Sequence, residues 1–304
     1  MSVSHSIRAV SLALVLAASA SLPPAFAADT VNFSYADNTV EVPKEPLRVV
    51  TIQGRTDLEF AIIAGWNVVA SGNFVAGQER PGEQFPDLVP ADLPLLAVDV
   101  TKINFEQLIA FEPDLIIMGS YGYQTDWYDN ARLRQIAPIL PVSDGHDGWK
   151  KDLSAQLAQF GLADKANGLL AKYDARIAEI KAEIGPLVAG KKVGILVSSE
   201  DSALVQHSNL QMVTAHDLGL DLPFWDPEQD SGTEFAQENY GELAVFDLII
   251  RQNQSGVESG PLWDRLPAVA AGHVYEVDQR DNQGYGLAGL NFAEKLREAA
   301  YLLK

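Results

Sequence analysis

Between Gly161 and the pair Gly185-Pro186, the residues Ala166, Leu169, Leu170, Tyr173, Ile177, Ile180 and Ile184 follow the three- and four-residue spacing of one helical face. That spacing predicts a single long helix with one apolar stripe. Upstream, short apolar and β-branched runs recur at 48–52, 67–70, 95–98, 114–118 and 139–142, each separated by a segment of helical composition. Downstream the pattern restarts, with runs at 192–198, 203–206, 246–251 and 273–277. Strands alternating with helices indicate parallel α/β units. The expected fold class is therefore α/β, two Rossmann-like lobes joined by one long helix with a ligand cleft between them. The division is an N-terminal lobe at 28–163, a linking helix at 164–186 and a C-terminal lobe at 187–304. One helix crossing alone between two lobes limits hinge motion to small tilts.

The first 27 residues read as a secretory signal peptide. Arg8 precedes an apolar run from Ala9 to Ala20, and Ala25-Phe26-Ala27 places small residues where a signal peptidase reads. The run is shorter than the roughly 20 residues that span a bilayer, so the mature chain is expected not to be membrane-embedded. No cysteine is present, so the protein is stabilised without disulfides and offers no site for a lipid at the cleavage point. A free monomer in the periplasm is the expectation. The formal net charge of −19 argues against nucleic acid or an anionic membrane surface as partner.

The two halves contain an echo. Phe105-Glu106-Gln107-Leu108 leads to Asp114-Leu115-Ile116-Ile117, and Gln237-Glu238-Asn239-Tyr240 leads to Asp247-Leu248-Ile249-Ile250. A carboxylate in a first helical turn complements exposed N–H groups. Two in matching places invite a paired function.

Catalytic and metal-ion signatures are missing. There is no Gly-x-Ser-x-Gly elbow, no Gly-Lys-Ser/Thr phosphate loop and no cysteine nucleophile, so no enzyme activity is expected. His146, His207, His216 and His273 are scattered without paired spacing, which disfavours direct capture of a metal ion.

Several stretches together carry a family resemblance: Val42 to Thr51, Asn104 to Ile117, Gln135-Ile136-Ala137-Pro138, Pro261 to Val269, and Gly272-His273-Val274-Tyr275. In order and spacing the chain resembles the single-helix-linked substrate-binding proteins of ABC importers for iron siderophores and cobalamin, and within them the ferric-hydroxamate branch. The resemblance implies a ferric siderophore as ligand, hydroxamate type favoured, with haem or cobalamin as the alternative. It implies a membrane permease as partner, docked through Glu106 and Glu238, and no cofactor, iron entering only as part of the siderophore. Tyr121 and Tyr285 fall where that branch places pocket tyrosines. The position of its hydroxamate-gripping arginine is occupied here by Val100, a departure that leaves the siderophore class open.

In such a fold the ligand sits at loops after the carboxyl ends of the strands. Those loops gather Arg55, Tyr121, Tyr123, Trp127, Trp149, Arg251, Arg280 and Tyr285. Aromatic walls and guanidinium forks suit a bulky, oxygen-rich chelate. Tyr128 reads as structural, and Trp66, Trp225 and Trp263 as core.

Overall fold

The computed structural model describes residues 29–72, 80–96, 98–99, 102–146, 148–229, 232–253, 260–278 and 281–304. The expected signal peptide, Val100 and Arg280 lie outside the described residues.

The chain opens with a hairpin, β1 (Thr30–Tyr35) and β2 (Asn38–Pro43). Then follow β3 (Val49–Thr51), α1 (Thr56–Ala64), β4 (Val68–Gly72), β5 (Leu95–Leu96) and a small hairpin of β6 (Val98–Asp99) and β7 (Lys102–Ile103). α2 (Phe105–Ala110), β8 (Leu115–Gly119), α3 (Ser120–Gln124), α4 (Asn130–Leu133), β9 (Ile139–Val142) and α5 (Trp149–Gln159) complete the first lobe. Its five-stranded sheet has the order β5-β4-β3-β8-β9 and is parallel throughout. The chain builds outward from β3 through β4 to β5, then crosses to β8 and β9 on the other side. The crevice between β3 and β8 is thus a topological switch point, where loops diverge and leave room for a ligand.

Helix α6 (Ala163–Val188) follows as one 26-residue element. Ala166, Leu169, Tyr173, Ile177, Ile180 and Ile184 are buried as the stripe requires, and Leu170 is half-buried beside them. The helix runs through Pro186, two residues past the expected stop.

The second lobe contains β10 (Val193–Ser198), β11 (Ser202–Val205), α7 (Leu210–Asp217), β12 (Thr233–Ala236), a 3-10 helix (Gln237–Val245), β13 (Leu248–Asn253), α8 (Gly260–Trp263), α9 (Pro267–Ala270), β14 (Val274–Val277) and α10 (Gly286–Ala300). The sheet order is β12-β11-β10-β13-β14. Here β10, β13 and β14 are parallel, whereas β11 and β12 pair antiparallel. The link from Ser198 to Ser202 is too short for the crossover of about a dozen residues that parallel neighbours need, so β10 and β11 form a hairpin.

One buried cluster runs through both lobes, joining Val49, Leu58 and Phe60 to Ile195, Ile250 and Phe292 by way of the α6 stripe. Two smaller clusters cover the opposite faces of the sheets, around Ile116 and Leu133 in the first lobe and Phe246 and Trp263 in the second. Trp66 packs edge-on to Phe60 and Phe160, and Trp225 stacks on His216 at 4.7 Å.

The sequence echo has a structural basis. Asp114 accepts the N–H groups of Leu47 (2.7 Å) and Arg48 (2.9 Å), and Asp247 accepts that of Lys192 (2.9 Å). In each lobe an aspartate opening one strand ties down the backbone entering its parallel neighbour, β3 or β10.

Candidate functional site

A cavity of about 880 Å³ opens at the carboxyl ends of β3, β8 and β9. It is lined by Gln53 and Arg55 after β3, Ser120 and Tyr121 after β8, and Ser143 and Asp144 after β9. Tyr35 and Ala36 from the N-terminal hairpin, Trp127, Tyr128, His146 and Asp152 close the sides, and Gln283 reaches in from the second lobe. Such a volume falls in the range of small-molecule sites, about 300–1,000 Å³.

The expected aromatic wall is partly present. Tyr121 (61 % exposed) and Trp127 (40 % exposed) stand at the mouth with ring centroids 5.9 Å apart. Exposed rings of this size, paired at a cavity rim, offer apolar contact area to an incoming ligand. Arg55 is 3 % exposed and lines the floor, donating from Nη1 to Asn282 Oδ1 of the second lobe at 2.5 Å. Burial lowers its pKa to about 9, against the pull of Asp57, Tyr128 and Asp144, so it stays charged at neutral pH.

Other expected site residues lie away from this cavity. Trp149 is fully buried, edge-on to Tyr173 at 5.1 Å, because it opens α5 on the face that packs against α6. Tyr285 is also fully buried, its hydroxyl donating to the Ser143 carbonyl oxygen at 2.9 Å across the lobe junction. Tyr123 turns away from the cavity toward the Ile116 cluster, with Arg134 over its ring at 5.1 Å. Arg251 is 8 % exposed in the middle of the second sheet. It donates from Nε to Ser198 Oγ (2.7 Å), pairs with Glu276 (3.2 Å) and covers the Trp263 ring at 4.7 Å. Conversely Tyr128, read as structural, is buried yet lines the cavity and accepts from Gln53 Nε2 at 3.3 Å.

Sequence reasoning missed the acidic residues. Asp57 is completely buried beneath the floor, and burial pushes its carboxyl well above the usual range; the Gln53 N–H and Arg55 oppose the shift while Asp144 adds to it. Asp144 is raised by burial too, opposed by the Tyr121 N–H, His146 and Arg55. The first turn of α1 is wholly buried, which takes Asp57 out of solvent, and the sequence carries no signal of that burial. Asp152 accepts from Tyr35 (2.9 Å) and from Ser143 Oγ (3.0 Å), which fixes the hairpin over the cavity.

Glu106 and Glu238 are both exposed in the first turn of their helices. Capping does not use Glu106, since the Asn104 side chain caps α2 by accepting from the Gln107 N–H at 3.1 Å. Among the described residues no group of three or more His, Cys, Asp or Glu could hold a metal ion. No described helix is long and apolar enough to cross a membrane.

Two lobes around a single long helix, with a cavity at the switch point of the first sheet, define a periplasmic-type solute-binding protein. The chain belongs to the periplasmic binding protein family, whose model matches residues 96–280. It is 27 % identical over 274 residues to the iron(3+)-hydroxamate-binding protein FhuD of Bacillus subtilis, a match covering 83 % of this chain and 80 % of that protein. Among solved structures it resembles a periplasmic binding protein component of a Fep/Fec-like ferrichrome ABC transporter from Bacillus subtilis (TM-score 0.70, 25 % identity, 88 % of this chain and 98 % of the other). It shares its fold with a periplasmic solute binding protein from Mycobacterium smegmatis (TM-score 0.71, 19 % identity, 90 % and 99 %). The same holds for the Fe3+-Desferal-bound siderophore binding protein FhuD from Vibrio cholerae (TM-score 0.67, 19 % identity, 84 % and 98 %).

Proposed function

We propose that this protein captures a ferric siderophore in the periplasm and delivers it to the permease of an ABC importer. The observation that carries the reading is the cavity itself: about 880 Å³ at the switch point, rimmed by Tyr121 and Trp127 and floored by Arg55. A chelate of that bulk lays its apolar backbone on the rings and turns iron-bound oxygens toward the guanidinium, a donor that stays charged and geometrically fixed. The hydroxamate-binding relative in Bacillus subtilis supports the choice of ligand class. The iron arrives already ligated, and the protein acts by binding rather than by catalysis. Glu106 and Glu238, exposed on matching helices of the two lobes, serve as the permease contacts, which reads lobe juxtaposition through charge. The protein works as a monomer with residues 1–27 removed on export.

Titration of the purified mature protein by quenching of its tryptophan fluorescence tests this reading. Ferric hydroxamates, ferric catecholates, ferric carboxylates, haem and cobalamin are compared side by side. Saturable, submicromolar binding of a ferric chelate is expected; binding of haem or cobalamin with no response to any chelate overturns the ligand.

A further inference from the structure

Among the described residues, the charge of the cavity wall is opposite to what a polyanionic chelate needs. Among the described lining residues Arg55 is the single lysine or arginine, and it stands against the carboxylates of Asp144 and Asp152. His146 is the remaining basic group in the wall. Arg55 already donates to Asn282 and lies between Asp57 and Asp144, so its positive charge is largely matched inside the protein. Asp152 is likewise engaged, holding Tyr35 and Ser143.

Asp144 differs from both. One of its oxygens, Oδ2, accepts the Tyr121 N–H at 2.9 Å, and this bond fixes the side chain at the end of β9 facing the aromatic rim. Its Oδ1 makes no hydrogen bond among the described residues. The sequence makes room for that oxygen, since a Cβ on Gly119 would collide with Asp144 Oδ1. The cavity therefore holds an oriented carboxylate with one oxygen left to a ligand, beside the exposed aromatic pair on its rim.

Resting on the siderophore reading, we infer that Asp144 is the specificity-determining residue of the pocket, accepting from a cationic arm of the ligand and excluding polyanionic chelates. The ligand is then a ferric complex of low overall charge whose arm ends in an ammonium group. A charge-assisted hydrogen bond of this kind contributes enough to separate ligands that differ in a single charge.

The test uses three iron(III) complexes with the full mature protein. These are desferrioxamine B, whose arm ends in an ammonium group; its N-acetylated form, which has the same iron centre without the charge; and a trianionic hexadentate tris-catecholate. Wild type is expected to bind the ammonium form about tenfold more tightly than the acetylated form and the tris-catecholate most weakly. Asp144→Asn, which keeps the acceptor for the Tyr121 N–H, is expected to bring the two hydroxamates within about twofold of each other. Equal wild-type affinity for the two hydroxamates, or tightest binding of the tris-catecholate, overturns the role of Asp144 while leaving a siderophore-binding protein. Binding of none of the three overturns the role of Asp144, and a failure of ferric carboxylates as well overturns the siderophore reading with it. The wild-type comparison stands even where the variant folds poorly.

Discussion

Glu59, on the first helix of the N-terminal lobe, accepts the backbone N–H of Tyr285 of the C-terminal lobe at 2.7 Å. The same carboxylate accepts from Leu287 (2.7 Å) and Ala288 (3.2 Å), so a buried acid of one lobe caps the N-terminus of α10 in the other. Helix N-termini expose unpaired donors and carry partial positive charge, and both favour an anion there. Gly284, at φ +146, is what allows the approach, because a Cβ at this position would meet Glu59 Oε2 and Ala288 Cβ. The lobes are thus pinned at a buried polar contact beside the α6 helix that links them.

Burial raises the Glu59 pKa to about 7, against the three N–H groups that stabilise its ionised form. An acid whose folded pKa lies above its unfolded value of about 4.5 keeps its proton in the native state where the unfolded chain has lost it. Its contribution is therefore fully present below about pH 4.5, falls as pH rises toward 7, and is flat beyond. Asp57 and Asp144 are raised by burial too and slope the same way, so the measurement is a difference. Relative to Glu59→Gln, wild type is expected to lose on the order of 3 kcal/mol of urea-unfolding free energy between pH 4.5 and pH 8. A constant gap between the two proteins across that range would show that Glu59 does not titrate in this window.

Two tryptophans that follow neighbouring strands, β8 and β9, should respond in opposite ways to truncation. Trp127 stands 40 % exposed at the cavity rim, and Trp149 is fully enclosed between α5 and α6. Trp127→Ala is expected to weaken chelate binding by about tenfold while changing stability by less than about 0.5 kcal/mol. Trp149→Ala should destabilise the fold by about 3–5 kcal/mol through the void it leaves. Paired thermal melts and fluorescence titrations distinguish the two; a stable Trp149→Ala protein with lost binding would return that residue to the site.

The fold was legible because its signals are repetitive. The α6 stripe and the β-branched runs are averages over many residues, and strand Ile139–Val142 coincides with its sequence run end to end. The antiparallel half of the second sheet was less visible, since strand direction depends on linker length rather than on composition; the gap from Ser198 to Ser202 carried that information. The N-terminal hairpin was missed although Val31, Phe33 and Tyr35 alternate with polar residues, the period of a half-buried strand. The pocket was harder still. A loop position brings a residue near the cleft without setting which way its side chain faces. Trp149 and Tyr285 accordingly turn into the junction core, while Asp144 faces the opening that Gly119 provides. Buried acids such as Asp57 and Glu59 look like surface helix residues until the rest of the chain is packed over them.

Arg251 offers a check on that distinction. Its guanidinium joins Ser198 on β10 to Glu276 on β14 and lies over Trp263, so it ties three parts of the second lobe together. Replacing it with alanine leaves a buried hydroxyl and an indole face without their partner. Arg251→Ala is expected to cost about 1–3 kcal/mol of stability and to leave chelate affinity within about twofold of wild type. A large affinity loss in a protein of unchanged stability would place the guanidinium at the ligand instead.

Glu106 and Glu238 make the last prediction, because the fold gives them little structural work. Each is exposed in the first turn of a helix that leads into a central strand through a backbone-anchoring aspartate, Asp114 or Asp247. Neither carboxylate makes a hydrogen bond within the described residues, and Asn104 supplies the α2 cap that Glu106 would otherwise provide. Rigid attachment of each helix to its own sheet means that the spacing of the two charges follows the spacing of the lobes. Exposed charges of this kind govern recognition and encounter with a partner more than the affinity of a distant cavity. The double variant Glu106→Lys/Glu238→Lys is therefore expected to bind ferric chelate as wild type does in the fluorescence titration. Uptake of radioactive iron as that chelate, in cells dependent on this protein, should fall by at least about tenfold, with each single variant in between. Wild-type uptake by the double variant would remove the two glutamates from the permease contact, and a parallel loss of chelate affinity would show that they act on the cavity instead.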